Sequence, residues 1–339
     1  MIRECIESVV SGRDLDSDEA ATAMQEIMAG RATDAQIGAL ITGLRMKGET
    51  IEELVGMARA MRRNSLKVQA SKPLVDTCGT GGDGLGTFNF STAAAFVAAA
   101  AGLRVAKHGN RAVSGTTGSA DILEACGIEI NLGPAQVEHC IEQIGIGFIF
   151  APVFHPAMRH ASGPRREIGI RTAFNVLGPL TNPAEPDHQI VGVAREDLGE
   201  KVAHVLQRLG CKKAIVVHGE DGADELTLTG PSHIWEITDG NINSYSISPQ
   251  NVGLDQRSLE ELKGGTAENN RDIMEKVLQG ESGPIADMIA FNAAGTLFVG
   301  GLVTDMKDGV ELSKKLMASG DPWHKLEALV KMSNQLSIK

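Results

Sequence analysis

Over residues 1 to about 68, apolar positions recur every three or four residues, as at Ile37, Leu40, Ile41 and Leu44. That spacing marks one face of a helix. Three segments open on an acceptor side chain followed three residues later by Glu or Gln: Asp16 with Glu19, Thr33 with Gln36, and Thr50 with Glu53. This is the capping-box pattern, in which each side chain accepts the other residue's backbone N–H. A small all-helical domain is therefore expected over 1–71. Short helices often need a partner surface, and Ile6, Val9, Met24 and Ile27 are candidates for one. From Pro73 the period changes. PLVDTC, LRVAK, IGFIFAP, QIVGVA, KAIVVHG and SHIWEIT are short apolar runs, with helical segments such as STAAAFVAAAAG and SADILEACG among them. Strands alternating with helices predict parallel βαβ units. The expected fold class is α/β: a mostly parallel, doubly wound sheet flanked by helices, plus the smaller all-helical domain. Residues 155–183 carry few strand signals. There HPAMRHASGPRREIG and FNVLGPL read as helices with proline stops, expected to pack onto the helical domain. Residues 72–154 and 184–339 then form the α/β domain, with covering helices from Arg271 onward.

Composition narrows the class. The chain has 339 residues, 42% hydrophobic and 22% charged, so it is globular and long enough for two domains. A formal net charge of -11 speaks against non-specific nucleic-acid binding, which relies on basic surface. The five cysteines show no C-x-x-C spacing, which points to reduced thiols and a cytoplasmic protein. MIRECIESVVSGRD has no long apolar run, and AAAFVAAAAGL is too short to span a bilayer. No membrane partner is expected.

The segment DTCGTGGDGLGTFNFSTAAA carries Gly79, Gly81, Gly82, Gly84 and Gly86. One window fits the dinucleotide fingerprint G-x-G-x-x-G. That fingerprint needs its third glycine at a helix start and an acid about 20 residues later. Here the loop runs on past Gly84, the helix begins near Ser91, and no Asp or Glu lies between Thr92 and Ala120. No Gly-Lys-Ser/Thr follows either, so the Walker A pattern fails. What remains is strand, glycine loop and helix N-terminus, an arrangement that binds anions through backbone N–H groups. Asn89, Ser91 and Thr92 would add side-chain donors. A second loop, KHGNRAVSGTTGS, sets Lys107, His108 and Arg111 directly after a strand. In a doubly wound sheet both loops emerge at the carboxyl ends of strands, which suggests one ligand with two phosphate groups. A third loop, HGEDGADEL, places Asp224 and Glu225 after a strand, suited to Mg2+ beside phosphate. Asp83, inside the glycine loop, is read either as a metal or sugar contact or as an Asx-turn.

GTGGDG with NFST, AKHGNRAVSGTTGSADILEACG, RTAFNVLGPLTNP and HGEDGADEL, in that order, together resemble the anthranilate phosphoribosyltransferase family over nearly the whole chain. The resemblance implies transfer of phosphoribose from 5-phosphoribosyl 1-pyrophosphate (PRPP) to the amino group of anthranilate, in tryptophan biosynthesis. It implies that Gly79, Gly82, Asp83, Thr87, Asn89, Phe90, Ser91 and Thr92 bind PRPP. Lys107, His108, Gly109, Asn110, Arg111, Ala112, Val113, Ser114, Gly115 and Ser119 would complete that site. It implies anthranilate contacts from Gly79, Asn110 and Arg165, and Mg2+ held by Ser91, Asp224 and Glu225. Of the adjacent Arg165 and Arg166, Arg165 matches the family position. Lys107 and Asp83 would act electrostatically and by positioning, with no general base. A homodimer through the helical domain is also implied. A nucleoside phosphorylase of the same architecture is the alternative; it would not need the acid pair. His108 and His155 border the expected cleft and read as proton relays or, more plainly, as pocket walls.

Overall fold

The structure is a computed structural model, and it describes residues 1–112 and 117–337. Four helices come first: α1 (Ile2–Val10), α2 (Ser17–Met28), α3 (Asp34–Lys47) and α4 (Ile51–Arg63). All three capping boxes form, with Asp16, Thr33 and Thr50 each accepting at N3 while Glu19, Gln36 and Glu53 accept in return. Glu53 does more than cap. It is fully buried and also accepts from the backbone N–H of Leu15 at 2.9 Å and from Lys47 Nζ at 3.0 Å. The link between α1 and α2 is thereby tied to α4. Val9, Met24 and Ile27 are at most 2% exposed. These three candidate partner-facing residues instead fill the bundle core, because the helices pack those faces on one another.

The rest of the chain alternates. β1 (Val75–Gly79), α5 (Phe90–Ala100), β2 (Val105–Gly109), α6 (Ser119–Ala125), α7 (Pro134–Ile144) and β3 (Ile146–Phe150) form the first half. α8 (Ala151–Phe154), α9 (Arg159–Ile168) and α10 (Phe174–Leu180) follow. Then come β4 (His188–Gly192), α11 (Gly199–Arg208), β5 (Lys213–Gly219), β6 (Ser232–Thr238) and β7 (Asn241–Ile247). Four helices close the chain: α12 (Ala267–Leu278), α13 (Pro284–Val299), α14 (Met306–Ser319) and α15 (Asp321–Ser337). The strands form one sheet in the order β3-β2-β1-β4-β5-β6-β7. β1 to β5 are parallel, while β6 and β7 add an antiparallel hairpin at one edge. β7 reads NINSYSI and is mostly exposed, so no apolar run announces it. Strand order reverses between β1 and β4. That switch point opens a crevice outside the carboxyl ends of the strands, where ligands of such sheets bind.

Two apolar layers cover the sheet. On one face, α5 and α13, almost wholly buried and rich in alanine, pack on each other and on β1. On the other face, Val191, Val202 and Val216 share one continuous core with Ile27, Leu40 and Leu54 of the helical bundle and with Ala161, Phe174 and Leu177. The bundle is also tied across by Arg208–Glu52 at 2.7 Å and by Arg62 Nε donating to Leu180 O at 2.9 Å. α9 and α10 run through Pro164 and Pro179 rather than stopping at them. Pro164 donates no N–H, so the His160 carbonyl goes without its intrahelical partner. β2 extends two residues beyond the strand read from LRVAK. Lys107 and His108 therefore lie in the strand and are buried, not in the loop after it.

Candidate active site

The glycine loop leaves β1 at the switch point. Gly81, Gly82, Gly84 and Gly86 have φ of +68°, +76°, +74° and +67°. Side chains rarely adopt that region, so four of the five glycines are demanded by the turn itself. Gly79 has a different reason. A Cβ there would collide with the Asp224 carboxylate, and one at Gly192 would collide with the Asp224 main chain. Two bare strand ends thus let the acidic loop lie against β1 and β4. Asp224 Oδ2 then accepts from the Gly81 N–H at 2.7 Å, and Glu225 Oε1 accepts from the Ser91 N–H at 3.1 Å. The three residues expected to share a cation are brought together around the start of α5. Asp83 Oδ1 accepts from the Leu85 N–H at 3.2 Å, an Asx-turn, yet its carboxylate also raises the Asp224 pKa.

Both acids are half-buried. Burial, then the Asp83 charge, pushes Asp224 up to about 6. Burial, then the Asp224 charge, pushes Glu225 up to about 8, against the pull of Lys107. Negative charge is crowded here without enough positive charge to balance it. Among the described residues, no three His, Cys, Asp or Glu side chains form a metal cluster. Hard carboxylates in such a pair fit Mg2+, which keeps waters and takes phosphate oxygens as its further ligands.

α5 begins at Phe90 with Asn89 as N-cap. The Asn89 side chain does not cap. Its Nδ2 donates to Thr117 O at 2.9 Å and its Oδ1 accepts from Asn270 Nδ2 at 2.9 Å. Asn270 Oδ1 accepts from the Gly265 N–H at 2.7 Å, and Thr117 Oγ1 donates to Gly265 O at 2.8 Å. Asn89 thus ties the end of the glycine loop directly to Thr117 of the second loop and, through Asn270, to α12. Phe90 and Thr92 are buried, so only their backbone can face a ligand. Thr87 is half-buried and pairs with Lys263 in an isolated bridge.

Lys107 is 3% exposed, and its Nζ donates to Thr77 O at 2.7 Å, beneath the acid pair. Burial pushes its ammonium down and the neighbouring Asp76 carboxyl up, while their attraction opposes both. Asp76 accepts from the His108 N–H at 3.2 Å and from Asn182 Nδ2 at 2.8 Å. His108 and His155 sit 5.2 Å apart between ring centroids, and among the described residues Nε2 of each has no hydrogen-bond partner. Past Gly109, Asn110 and Arg111 are exposed. The Arg111 guanidinium is held by Asp121 at 3.0 Å and Glu124 at 2.8 Å of α6. Asp121 Oδ2 also accepts from the Ala112 and Gly118 N–H groups, and Ser119 Oγ donates to Asn110 O at 3.2 Å. Val113, Ser114 and Gly115 lie outside the described residues.

Arg165, on α9, is half-buried with its guanidinium 4.8 Å from the Phe174 ring centroid, and burial lowers its pKa. Arg166 is exposed. Sequence reasoning passed over Arg171, although RTAFNVLGPLTNP contains it. Its Nη1 donates to Gly82 O and its Nη2 to Gly81 O, both at 2.8 Å. Asp76, Asn182 and Asn270 were passed over too. The Asn182–Asp76, Asn182–Ala106 and Asn270–Asn89 bonds each span 76 or more residues of chain, a separation no local motif reveals.

The description "Glycosyl transferase family, helical bundle domain" matches residues 3–65, and "Glycosyl transferase family, a/b domain" matches residues 71–322. An anthranilate phosphoribosyltransferase of Dehalococcoides mccartyi is 50% identical over 339 residues, covering 99% of each chain. That of Moorella thermoacetica is 53% identical over 331 residues, 97% of this chain and 98% of its own. The crystal structure of the Thermus thermophilus enzyme superposes with a TM-score of 0.93 at 43% identity, covering 97% of this chain and 99% of that one. The Saccharomyces cerevisiae enzyme, solved in complex with PRPP and Mg, gives 0.92 at 27% identity over 98% of both. The glycine loop, the acid pair and the helical bundle therefore stand in a family context: this chain belongs to the anthranilate phosphoribosyltransferases.

Proposed function

We propose that the chain transfers the 5-phosphoribosyl group of PRPP to the amino group of anthranilate, giving N-(5-phosphoribosyl)anthranilate and pyrophosphate. The observation that carries this reading is the acid pair set against Ser91 and the glycine loop at the switch point. A phosphorylase of the same fold cleaves with phosphate and would have no need of Asp224 and Glu225.

Anthranilate's amine is neutral at pH 7 and needs no strong base to attack. The difficult step is breaking the bond from ribose C1 to pyrophosphate, where positive charge grows on the ribose and negative charge on the leaving group. A Mg2+ held by Ser91, Asp224 and Glu225 would draw off that negative charge. The glycine-loop amides, from Gly79 to Asp83 and on to Thr87, add preorganised donors, as do those opening α5. Lys107 supports the site from below as a fixed positive charge. Gly109 to Ser119, including Val113, Ser114 and Gly115, would carry the second phosphate group. Arg165 and Asn110 orient anthranilate toward C1, so that attack needs little further ordering. Residues 1–71, with 155–183 packed on them, act as one unit against the α/β part. A small rotation about 69–73 and 152–156 would bring Arg165 over the sheet.

Val10 and Met46, 69% and 84% exposed on α1 and α3, leave apolar surface on the bundle that a second copy of the chain would cover. Among the described residues no helix is long and apolar enough to cross a membrane, and a cytoplasmic homodimer is the reading that follows from family and composition. The test is anthranilate fluorescence followed with PRPP, with and without Mg2+. Loss of signal is expected only when both are present. Asp224→Asn with Glu225→Gln should lower the metal-dependent rate by roughly 10²–10³, as when one preorganised charge-stabilising group is removed elsewhere. Consumption without Mg2+ at an equal rate would overturn the metal role.

A further inference from the structure

Glycine makes the loop shape possible but does not choose it. With φ near +70° at Gly81 and Gly82, neither residue has a Cβ to resist rotation of the neighbouring peptide planes. Each plane can present its N–H or its C=O to the crevice at little cost. An anion site works only if the N–H groups face in, because inward carbonyls would repel phosphate.

Arg171 supplies the missing constraint. Its two terminal nitrogens donate to the carbonyls of Gly81 and Gly82, both at 2.8 Å. A trans peptide is planar, and its C=O and N–H point in opposite directions. Fixing the Gly81 carbonyl therefore fixes the Gly82 N–H on the other side, and fixing the Gly82 carbonyl does the same for the Asp83 N–H. Among the described residues, neither of these amides has a protein partner. Two consecutive unpaired N–H groups facing one way form an anion-binding concavity. The guanidinium has no carboxylate within salt-bridge distance among the described residues, so its charge is spent on the loop. A planar two-pronged donor offers its N–H groups in a fixed fork, whereas an ammonium is a point charge on a flexible stem with three rotatable donors.

We propose that Arg171 is a positioning residue for PRPP: it clamps the carbonyls of Gly81 and Gly82 so that the N–H groups of Gly82 and Asp83 face a phosphate group of the substrate. The proposal rests on the reading that the glycine loop takes PRPP. Arg171 follows the C-terminal glycine of α9, Gly169, by two residues. The helix that carries Arg165 is therefore joined by a short link to the loop that would hold the other substrate.

The experiment compares the wild type with Arg171→Ala and Arg171→Lys in steady-state rates, PRPP calorimetry in the presence of Mg2+, and thermal midpoint. Arg171→Ala should raise KM for PRPP about tenfold, as expected for losing charge-assisted hydrogen bonds. KM for anthranilate at saturating PRPP should stay within about twofold, and the thermal midpoint without PRPP should fall by only about 2 °C, since both bonds are exposed. Arg171→Lys should fall between, and methylguanidine added to Arg171→Ala should recover PRPP affinity. A purely structural residue would shift the midpoint and both KM values together, without rescue. PRPP affinity in Arg171→Ala within twofold of the wild type would overturn the clamp alone. A wild type that binds no PRPP would overturn the reading of the loop, and the clamp with it. Should Arg171→Ala fail to fold, Arg171→Lys decides: unchanged PRPP affinity there overturns the proposal.

Discussion

Asp224 fits because two residues have no side chain. With Gly79 and Gly192 bare, its backbone lies across the ends of β1 and β4 and its carboxylate reaches the Gly81 N–H. Burial there, with the Asp83 charge beside it, raises its pKa to about 6 by making the ionised carboxylate costly, a cost that a bound divalent cation would relieve. Arg165 presents the complementary case. Its guanidinium rests on Phe174, half-buried, with burial depressing its pKa. A partly desolvated cation stacked on an aromatic ring is prepared for a planar carboxylate. Arg165→Ala should raise KM for anthranilate roughly 10–100-fold, the value of a charge-assisted bidentate contact, and leave KM for PRPP nearly unchanged. Initial rates with each substrate varied at saturation of the other decide it. An equal rise in both would assign the carboxylate to another residue. Arg165→Ala and Arg171→Ala are thus expected to fail on opposite substrates, although only six positions separate them.

At the scale of elements, what was legible in the sequence was what is local. The three capping boxes span four residues each and form as expected, because the two partners meet as soon as the first turn forms. The βα alternation was legible for the same reason: apolar runs of five to seven residues separated by helical spacing leave few alternatives. β7 was not, since an exposed edge strand of polar residues carries no apolar period. Nor were the carbonyl clamp of Arg171 on the glycine loop and the Asn270–Asn89 pair, which join residues 89 or more apart. Glu53 shows both kinds of information in one side chain. As N3 of a capping box it is read from sequence. As the acceptor for Leu15 N–H and partner of Lys47 it is known only from the fold. Removing it would leave the Leu15 N–H unpaired, lose the cap of α4 and leave Lys47, whose side chain is 8% exposed, with Asp14 as its remaining carboxylate. Glu53→Ala should therefore cost about 3 kcal/mol, the sum of a lost cap and an unpaired buried N–H, against about 1 kcal/mol for Thr33→Ala, a cap alone. Urea unfolding of the two variants beside the wild type measures the difference. Equal losses would reduce Glu53 to a helix cap.

The whole molecule carries opposing proton-linked terms. His155 is 6% exposed, and burial, then the Lys67 charge, lowers its pKa from 6.5 to about 4. His108, packed against it, is lowered well below 6.5 by burial and by His155. Below pH 6.5 the unfolded chain takes a proton at position 155 that the folded chain refuses until about pH 4. Stability is therefore lost as pH falls through that window and is fully retained above it. The interval corresponds to about 3 kcal/mol at its acid end. Asp224 and Glu225 act the other way. Their folded pKa values, about 6 and about 8, lie above the ordinary 3.8 and 4.5, so the folded state binds more protons and their contribution is lost as pH rises through those values. The two slopes oppose each other between pH 4.5 and 6.5, and the wild-type curve alone would look flatter than either. Comparison with His155→Gln removes the shared carboxylate term. The difference in unfolding free energy between wild type and His155→Gln should be constant above pH 6.5 and change steadily from there to about pH 4, with the variant gaining on the wild type as acid is added. A difference that stays constant across that range would mean that His155 titrates alike in the folded and unfolded chain, and that its burial is not what holds it neutral.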